Sequence, residues 1–228
     1  MKYGTSHAVL KPLEEVLLPD SRFQGSVIGT ENQMRPFDLS DLHERLRISK
    51  LNSNVPKDVN THFQTALNLM LYTWFVYEFQ TVAEKQAYAA LEFALRRRFP
   101  HATKTIKRKG KEVVIPWTLA PLLQLAMTQG LIVAETLPAW EQVKRNRKLY
   151  ERDSIQPLAP MPSADDWLRN VIDHLPDSRN QLAHGSTKLF MSSSFWALEF
   201  CADLINVLFP KSESSNSYEE NRPSEGAA

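Results

Sequence analysis

The chain has 228 residues, of which 43% are hydrophobic and 23% charged, proportions that are ordinary for a soluble globular protein. A single cysteine excludes a disulfide framework within the chain, and no segment reaches the ~20 apolar residues of a membrane-spanning helix, so we expect a cytoplasmic protein. Net charge is +1, but residues 96–152 carry an excess of nine positive charges and the remainder sums to −8. This asymmetry favours a polyanionic partner, with a solvated basic face as the alternative.

Residues 1–52 alternate short apolar runs with prolines and glycines, which predicts an N-terminal extension with turns. Within it we expect one short helix, capped at Ser40 and carrying Leu42 and Leu46 on one face. The Ser- and Glu-rich composition after residue 209 predicts a disordered tail over 210–228. The sequence therefore divides into an extension, a helical domain over 53–209 and a tail.

Two helices are predicted in the first part of the helical domain. Apolar residues recur at spacings of three and four from residue 66 to residue 79, which indicates an amphipathic helix beginning near Asp58. The sequence TVAE at residues 81–84 has the form of a capping box and predicts the start of a second helix. Three arginines and then Phe99 end this helix, where cations suit the helix dipole.

The segment 104–117 is the one place where strands are predicted. β-branched residues flank a turn at Lys109 and Gly110, so we expect a small hairpin inserted between helices. Its cations suit two interpretations, a contact with a nucleic-acid backbone or a solvated hairpin tip. The residues predicted to contact RNA are Lys104, Lys107, Arg108, Lys109, Lys111 and, at the preceding helix end, Arg98.

Further helices are predicted after the hairpin. The first closes at Gly130, and a basic segment over 137–152 turns Trp140, Val143 and Leu149 inward. Ser163 is the expected cap of the next helix, and a last helix covers about 14 residues from residue 195. The chain is therefore predicted to be all-α, a helical bundle with a small β-hairpin.

The stretch SRNQLAHG at residues 178–185 places several polar groups near the end of the domain. Pro176 followed by a polar cap predicts a new short helix that ends at the glycine. Asn180 and His184 are four positions apart and share a face, while Arg179 lies five positions before the histidine. Because a cation opposes the dipole at a helix start, this placement of Arg179 favours a functional site.

An arginine followed by asparagine, with a histidine five positions after the arginine, resembles the R-X4–6-H motif of HEPN domains. The sequence AYAALEFALRRRF is similar to the family's earlier helix, and the resemblance extends over roughly 56–209. It implies a HEPN-like helical bundle and a metal-independent endoribonuclease without a cofactor, acting as a toxin or antiphage defence effector. It also implies a cleft composed of two motifs across a homodimer, and a cognate antitoxin or defence-system partner.

These residue types suit RNA cleavage, because RNA carries its own nucleophile in the 2′-hydroxyl. His184 suits proton transfer near neutral pH, and Arg179 offers a permanent cation with planar donors for phosphate. Asn180 can orient the histidine or hold a phosphate oxygen. Each motif supplies one histidine, which fills one of the two proton-transfer roles, and this is a physical reason for a homodimer through the motif-bearing helices. The apolar residues expected to bury there are Phe190, Phe195 and Trp196.

The main alternative is a catalytically inactive HEPN module that binds RNA, a nucleotide or a protein partner. A plainer interpretation of Arg179 and His184 is a surface arginine and a histidine that caps a helix end. The sequence has no HExxH or similar metal-ligand spacing and no glycine-rich phosphate loop. The intact set of arginine, asparagine and histidine favours the catalytic interpretation.

Overall fold

The computed structural model describes residues 10–30, 33–108, 111–153, 158–184 and 191–211. Within these ranges the chain is mostly helical, which confirms the predicted class, and no described helix is both long and apolar enough to cross a bilayer. The helices are α1 (Leu39–Ile48), α2 (Lys57–Leu71), α3 (Phe79–Arg98), α4 (Leu119–Thr128), α5 (Pro138–Asp153), α6 (Ala164–His184) and α7 (Met191–Leu208). The strands are β1 (Val27–Thr30), β2 (Gln33–Pro36), β3 (Thr103–Arg108) and β4 (Lys111–Pro116).

Helix α3 lies at the centre of the fold, packed against α2 and α7 and, less extensively, against α4 and α6. Phe63 and Met70 of α2 are fully buried, as are Leu91 and Leu95 of α3. Residues four or seven positions apart lie on one helix face, so each pair forms an apolar stripe toward the core. This arrangement leaves the C-terminal end of α3 beside α2 on one side and α6 on the other.

The predicted helix boundaries between residues 71 and 84 are wrong. Helix α2 ends at Leu71, because the Thr73 hydroxyl donates to the carbonyl of Met70 at 2.6 Å and residues Tyr72–Trp74 form a 3-10 turn. Helix α3 then begins at Phe79, so the stretch predicted to be a capping box lies inside it. The Thr81 hydroxyl donates to the carbonyl of Glu78 at 3.0 Å rather than capping a helix.

Part of the predicted N-terminal extension packs into the same hydrophobic core as the helices. Phe23 is 3% exposed, and its ring centroid lies 4.8 Å from that of Trp74. Leu42 and Leu46 of α1 are buried as predicted, but the cap of α1 is Asp38, whose side chain accepts from two backbone amides of the first turn. Ser40 is already inside α1, so the predicted cap is wrong by two positions.

The predicted boundary between residues 52 and 53 stays a prediction. At that point the chain is hydrogen-bonded to its C-terminal helix. The Asn52 side chain donates to the carbonyl of Phe209 at 2.9 Å, and its backbone amide donates to the Asn206 side chain at 2.8 Å. The Asn54 side chain donates to the carbonyl of Pro210 at 2.7 Å. These bonds hold the segment before α2 against the end of α7.

The described residues include two pairs of antiparallel strands, of which one was predicted. Strands β3 and β4 pair with Lys104 opposite Ile115, as the β-branched pattern indicates, while the predicted turn at Lys109 and Gly110 lies outside the described residues. Strands β1 and β2 were not predicted. Gly29 in β1 has φ +139°, and a Cβ there would lie 1.9 Å from the carbonyl oxygen of Gln33, so only glycine fits.

The helices after the second hairpin follow the predicted order. Gly130 adopts a left-handed conformation at φ +67°, as expected for a residue that ends α4. Ser163 caps α6 as predicted, accepting from the backbone amide of Asp166 at 3.1 Å. Trp140 is buried as predicted, but Leu149, which was predicted to face inward, is 52% exposed.

Helix α6 continues through Pro176, which corrects the predicted short helix. Leu168, Ile172 and Leu175 are all buried, so the packing against α3 and α4 outweighs the roughly 3 kcal/mol cost of an interior proline. Arg179 therefore lies near the C-terminal end of a long helix, where a cation suits the dipole. The argument from a misplaced cation is wrong, and the functional interpretation of Arg179 has to rest on its contacts.

Candidate functional site

The candidate site lies where the C-terminal part of α6 passes the C-terminal part of α3. The Arg179 side chain is 46% exposed, and its Nη2 lies 3.7 Å from Oε2 of Glu92 on α3. Its Nη1 donates to Oδ1 of the adjacent Asn180 at 3.4 Å. The backbone of His184 forms the last residue of α6, whereas its side chain lies outside the described residues. The structure therefore joins Arg179 to Asn180 and leaves the position of the imidazole a prediction.

Glu92 holds two arginines from different helices. Its side chain is 12% exposed, and its Oε1 accepts from Nη2 of Arg96 at 2.5 Å while its Oε2 faces Arg179. A carboxylate between two guanidinium groups leaves a net positive charge at this point of the surface. Sequence reasoning missed Glu92. The spacing of four residues to Arg96 was visible, but the contact with Arg179 depends on how α6 crosses α3.

The basic end of α3, which consists of Arg96, Arg97 and Arg98, is exposed to solvent. Arg97 Nε donates to Oδ2 of Asp58 on α2 at 2.9 Å, and this hydrogen bond lowers the pKa of the Asp58 carboxyl. The Arg98 side chain, predicted to contact RNA, is exposed, five residues before β3 begins. The predicted cations therefore continue from a helix end directly into the hairpin.

Three of the hairpin residues predicted to contact RNA have described and exposed side chains. These residues are Lys104, Lys107 and Lys111. Arg108 ends β3, but its side chain, like all of Lys109, lies outside the described residues. The hairpin thus presents cations to solvent, and none of these three lysines has a described ion pair. This exposure fits a contact with a nucleic-acid backbone and a solvated hairpin tip equally well.

A second polar cluster connects the N-terminal half of α3 to α7. Glu84 accepts from the Tyr88 hydroxyl and from the Ser194 hydroxyl, both at 3.1 Å. Burial raises the pKa of the Glu84 carboxyl above its ordinary value, and these two hydrogen bonds oppose that shift. Burial also raises the pKa of the Cys201 thiol on α7, where the charge of Glu84 contributes in the same direction. This cluster faces the core and holds α7 in place.

The expected dimer contacts are partly corrected. Phe195 is 3% exposed within its own chain, and the Arg45 guanidinium carbon lies 3.8 Å from its ring centroid. It is therefore not free to bury against a second copy. Trp196 is half-buried and stacks on Phe200 at a centroid distance of 4.9 Å, whereas Phe190 lies outside the described residues.

In the part of the chain that the structure describes, no group of three or more His, Cys, Asp or Glu residues is arranged to hold a metal ion. Comparison of the chain with family models, with curated proteins and with solved structures finds no match.

Proposed function

We propose that this protein is a HEPN-type endoribonuclease that cleaves RNA without a metal ion. The observation that carries the proposal is the shared contact of Glu92 with Arg96 and Arg179. It brings the arginine of the R-X4–6-H motif to the basic end of α3, so that cations from two helices face one surface. A phosphodiester is a bidentate acceptor for such guanidinium groups.

The proposed reaction is an attack of the RNA 2′-hydroxyl on the adjacent phosphorus. The 2′-oxygen loses its proton to a base as it bonds to phosphorus, the bond to the 5′-oxygen breaks, and an acid protonates that leaving oxygen. The products are a 2′,3′-cyclic phosphate and a 5′-hydroxyl. His184 takes one of the proton-transfer roles, Arg179 stabilises charge on the phosphate, and Asn180 orients a phosphate oxygen or the histidine.

The proposed partners follow from this chemistry. Arg98 and the hairpin lysines contact the RNA backbone, and their contribution is independent of base sequence. In the organism the enzyme acts as a toxin or an antiphage defence effector, held in check by a cognate antitoxin or a defence-system partner. A catalytically inactive module that only binds RNA is the outcome to be distinguished from this proposal.

Substitution of the motif tests the catalytic proposal. Arg179→Ala and His184→Ala should each lower the cleavage rate of a labelled single-stranded RNA by at least about a hundredfold, because each removes one chemical role. EDTA should have no effect, and end analysis of the products should show 2′,3′-cyclic phosphates. The matched controls are Arg169→Ala and His174→Ala, which remove an exposed arginine and an exposed histidine of the same helix.

Cleavage that survives His184→Ala undiminished, or that falls equally with the control variants, would contradict the proposal. Wild-type protein that binds RNA without cleaving it would establish the binding module instead. Circular dichroism of each variant separates a lost role from a lost fold.

A composite cleft predicts a particular oligomeric state and a particular mixing behaviour. Light scattering at micromolar concentration should give a mass near twice 26.1 kDa. If one cleft uses both histidines, an equal mixture of wild-type and His184→Ala chains should retain about one quarter of the activity rather than about one half. A monomer with full ribonuclease activity would overturn the composite cleft and require another proton donor.

A further inference from the structure

Next to the proposed cleavage site, the side of α3 that faces α2 carries an aromatic residue between a histidine and an arginine. Phe93 is half-buried, and the ring of His62 on α2 lies edge-on to it at a centroid distance of 5.0 Å. The guanidinium carbon of Arg97 lies 5.7 Å from the Phe93 ring centroid. We name these three residues, His62, Phe93 and Arg97, the aromatic platform.

Hydrogen bonds outside the platform fix its two polar members. The Gln86 side-chain amide donates to the His62 carbonyl at 3.3 Å and lies 3.4 Å from the imidazole Nδ1. Arg97 donates to Asp58, one helical turn before His62 on α2. Both His62 and Arg97 are exposed, so their orientation is set by these neighbours rather than by burial in the core. The platform is therefore a set of ordered side chains in contact with solvent, with the Arg97 guanidinium over the Phe93 ring and His62 at its edge.

The platform lies on the row of α3 side chains next to the one that carries the proposed phosphate site. Glu92 and Arg96 form one row along α3 that faces α6, while Phe93 and Arg97 form the next row, facing α2. Phe93 and Arg96 are three positions apart, which places their Cβ atoms at roughly 5–6 Å on a helix surface. A phosphate held by Arg96 would thus have its own or the neighbouring base beside Phe93.

We infer that one unpaired base of the RNA substrate stacks on the aromatic platform, next to the phosphate held by Arg96 and Arg179. This inference rests on the proposed ribonuclease function. A base in a duplex is already stacked on its neighbours, so only an unpaired base can offer a face to Phe93 or to the Arg97 plane. Any base has such a face, so the platform confers preference for a single strand rather than for a sequence.

Fluorescence anisotropy with a labelled 12-nucleotide RNA tests this inference, in a His184→Ala background that prevents cleavage. Phe93→Leu keeps an apolar side chain and removes the aromatic face, so single-strand affinity should fall about tenfold, while affinity for a duplex of the same sequence should change by less than about twofold. Phe93→Tyr keeps the ring and should bind like the parent. The matched control is Tyr72→Leu, which removes a 55% exposed aromatic side chain near the other end of α2.

Three results would overturn the inference. The first is an equal loss of affinity in Phe93→Leu and Tyr72→Leu, and the second is an unchanged single-strand affinity in Phe93→Leu. The third is a duplex that binds as tightly as the single strand. If Phe93→Leu melts early, His62→Ala replaces it, because that side chain is exposed and the same pattern of losses is expected. Binding and cleavage are read separately. RNA that binds through Phe93 but is never cleaved contradicts the proposed function alone, whereas His184-dependent cleavage that is indifferent to Phe93 contradicts the inference alone.

Discussion

Helix α3 carries two glutamates, eight positions apart, whose surroundings are opposite. Glu84 receives hydrogen bonds from two hydroxyl groups and has no described ion pair, and burial raises the pKa of its carboxyl. Glu92 lies against two guanidinium groups that are nearly half exposed. One carboxyl is satisfied by neutral hydroxyl donors, and the other, although it is little exposed itself, by charged donors that reach solvent.

The difference shows how one helix serves both the fold and the candidate site. At its N-terminal half, α3 contacts α7 through a polar group whose removal would leave buried hydroxyls without an acceptor. At its C-terminal half, it presents cations whose charge is only partly balanced. We therefore expect substitutions at Glu84 to affect stability and substitutions at Glu92 to affect RNA binding and cleavage.

The largest expected effect on stability is that of Glu84→Ala. Ser194 is 2% exposed and Tyr88 is 2% exposed, so both hydroxyls would lose a buried acceptor, and we expect a loss of about 2 kcal/mol in the free energy of unfolding. For a chain of this size the melting temperature should fall by roughly 4–8 °C, measured by circular dichroism. The same change at Glu92 is the comparison, and an equal loss at both positions would remove the distinction between them.

A smaller effect is expected from the pH dependence of stability at Glu84. Because the folded-state pKa is raised, the folded protein favours the protonated carboxyl, and its contribution is present below the ordinary value of 4.5 and lost as pH rises through the folded pKa. Glu84→Gln cannot ionise, so its stability relative to wild type should increase as pH rises above 4.5. Urea unfolding of both proteins at several pH values measures this trend. A relative stability that decreases with pH would show that the carboxylate is favoured in the fold.

The smallest effect on stability is expected from Glu92→Gln, because the glutamine oxygen can still accept from an arginine and both arginines are nearly half exposed to solvent. Loss of the negative charge should nevertheless tighten RNA binding, since Arg96 and Arg179 would meet phosphate without a competing carboxylate. Cleavage should become slower, because Arg179 would lose the group that positions it. Fluorescence anisotropy and cleavage assays on one preparation test whether RNA binding tightens while cleavage slows. Binding and cleavage that weaken together would assign Glu92 a purely structural role.

The helices were predictable where apolar residues repeat at helical spacing, as with Phe63, Met70, Leu91 and Leu95, because burial of such a stripe requires a helix. Their ends were less predictable. Thr73 bonds back to a carbonyl and ends α2, while the buried stripe that includes Ile172 and Leu175 carries α6 past a proline. The first outcome is a local bond that the apolar spacing does not reveal, and the second depends on tertiary packing that outweighs local preference.

The candidate site could be predicted only as a set of residue types. The spacing of Arg179 to His184 is local and visible in the sequence. The proximity of Arg179 to Glu92 is a contact between residues 87 positions apart, and the pairing of His62 with Phe93 is likewise a contact between two helices. The first hairpin was missed because its strands are only four residues long and one contains Gly29.

Pro176 lies at the boundary between two parts of α6 that differ in how firmly they are held. Proline has no amide hydrogen, so the carbonyl of Ile172 lacks its helical donor at the point where the helix passes from its buried stripe to the segment with Arg179 and Asn180. The missing backbone hydrogen bond lowers the bending stiffness of the helix at this point. The last two turns of α6 can therefore tilt together while the earlier turns stay packed against α4. The segment with Arg179 and Asn180 thus belongs to a less stiff part of α6 than the buried stripe before it.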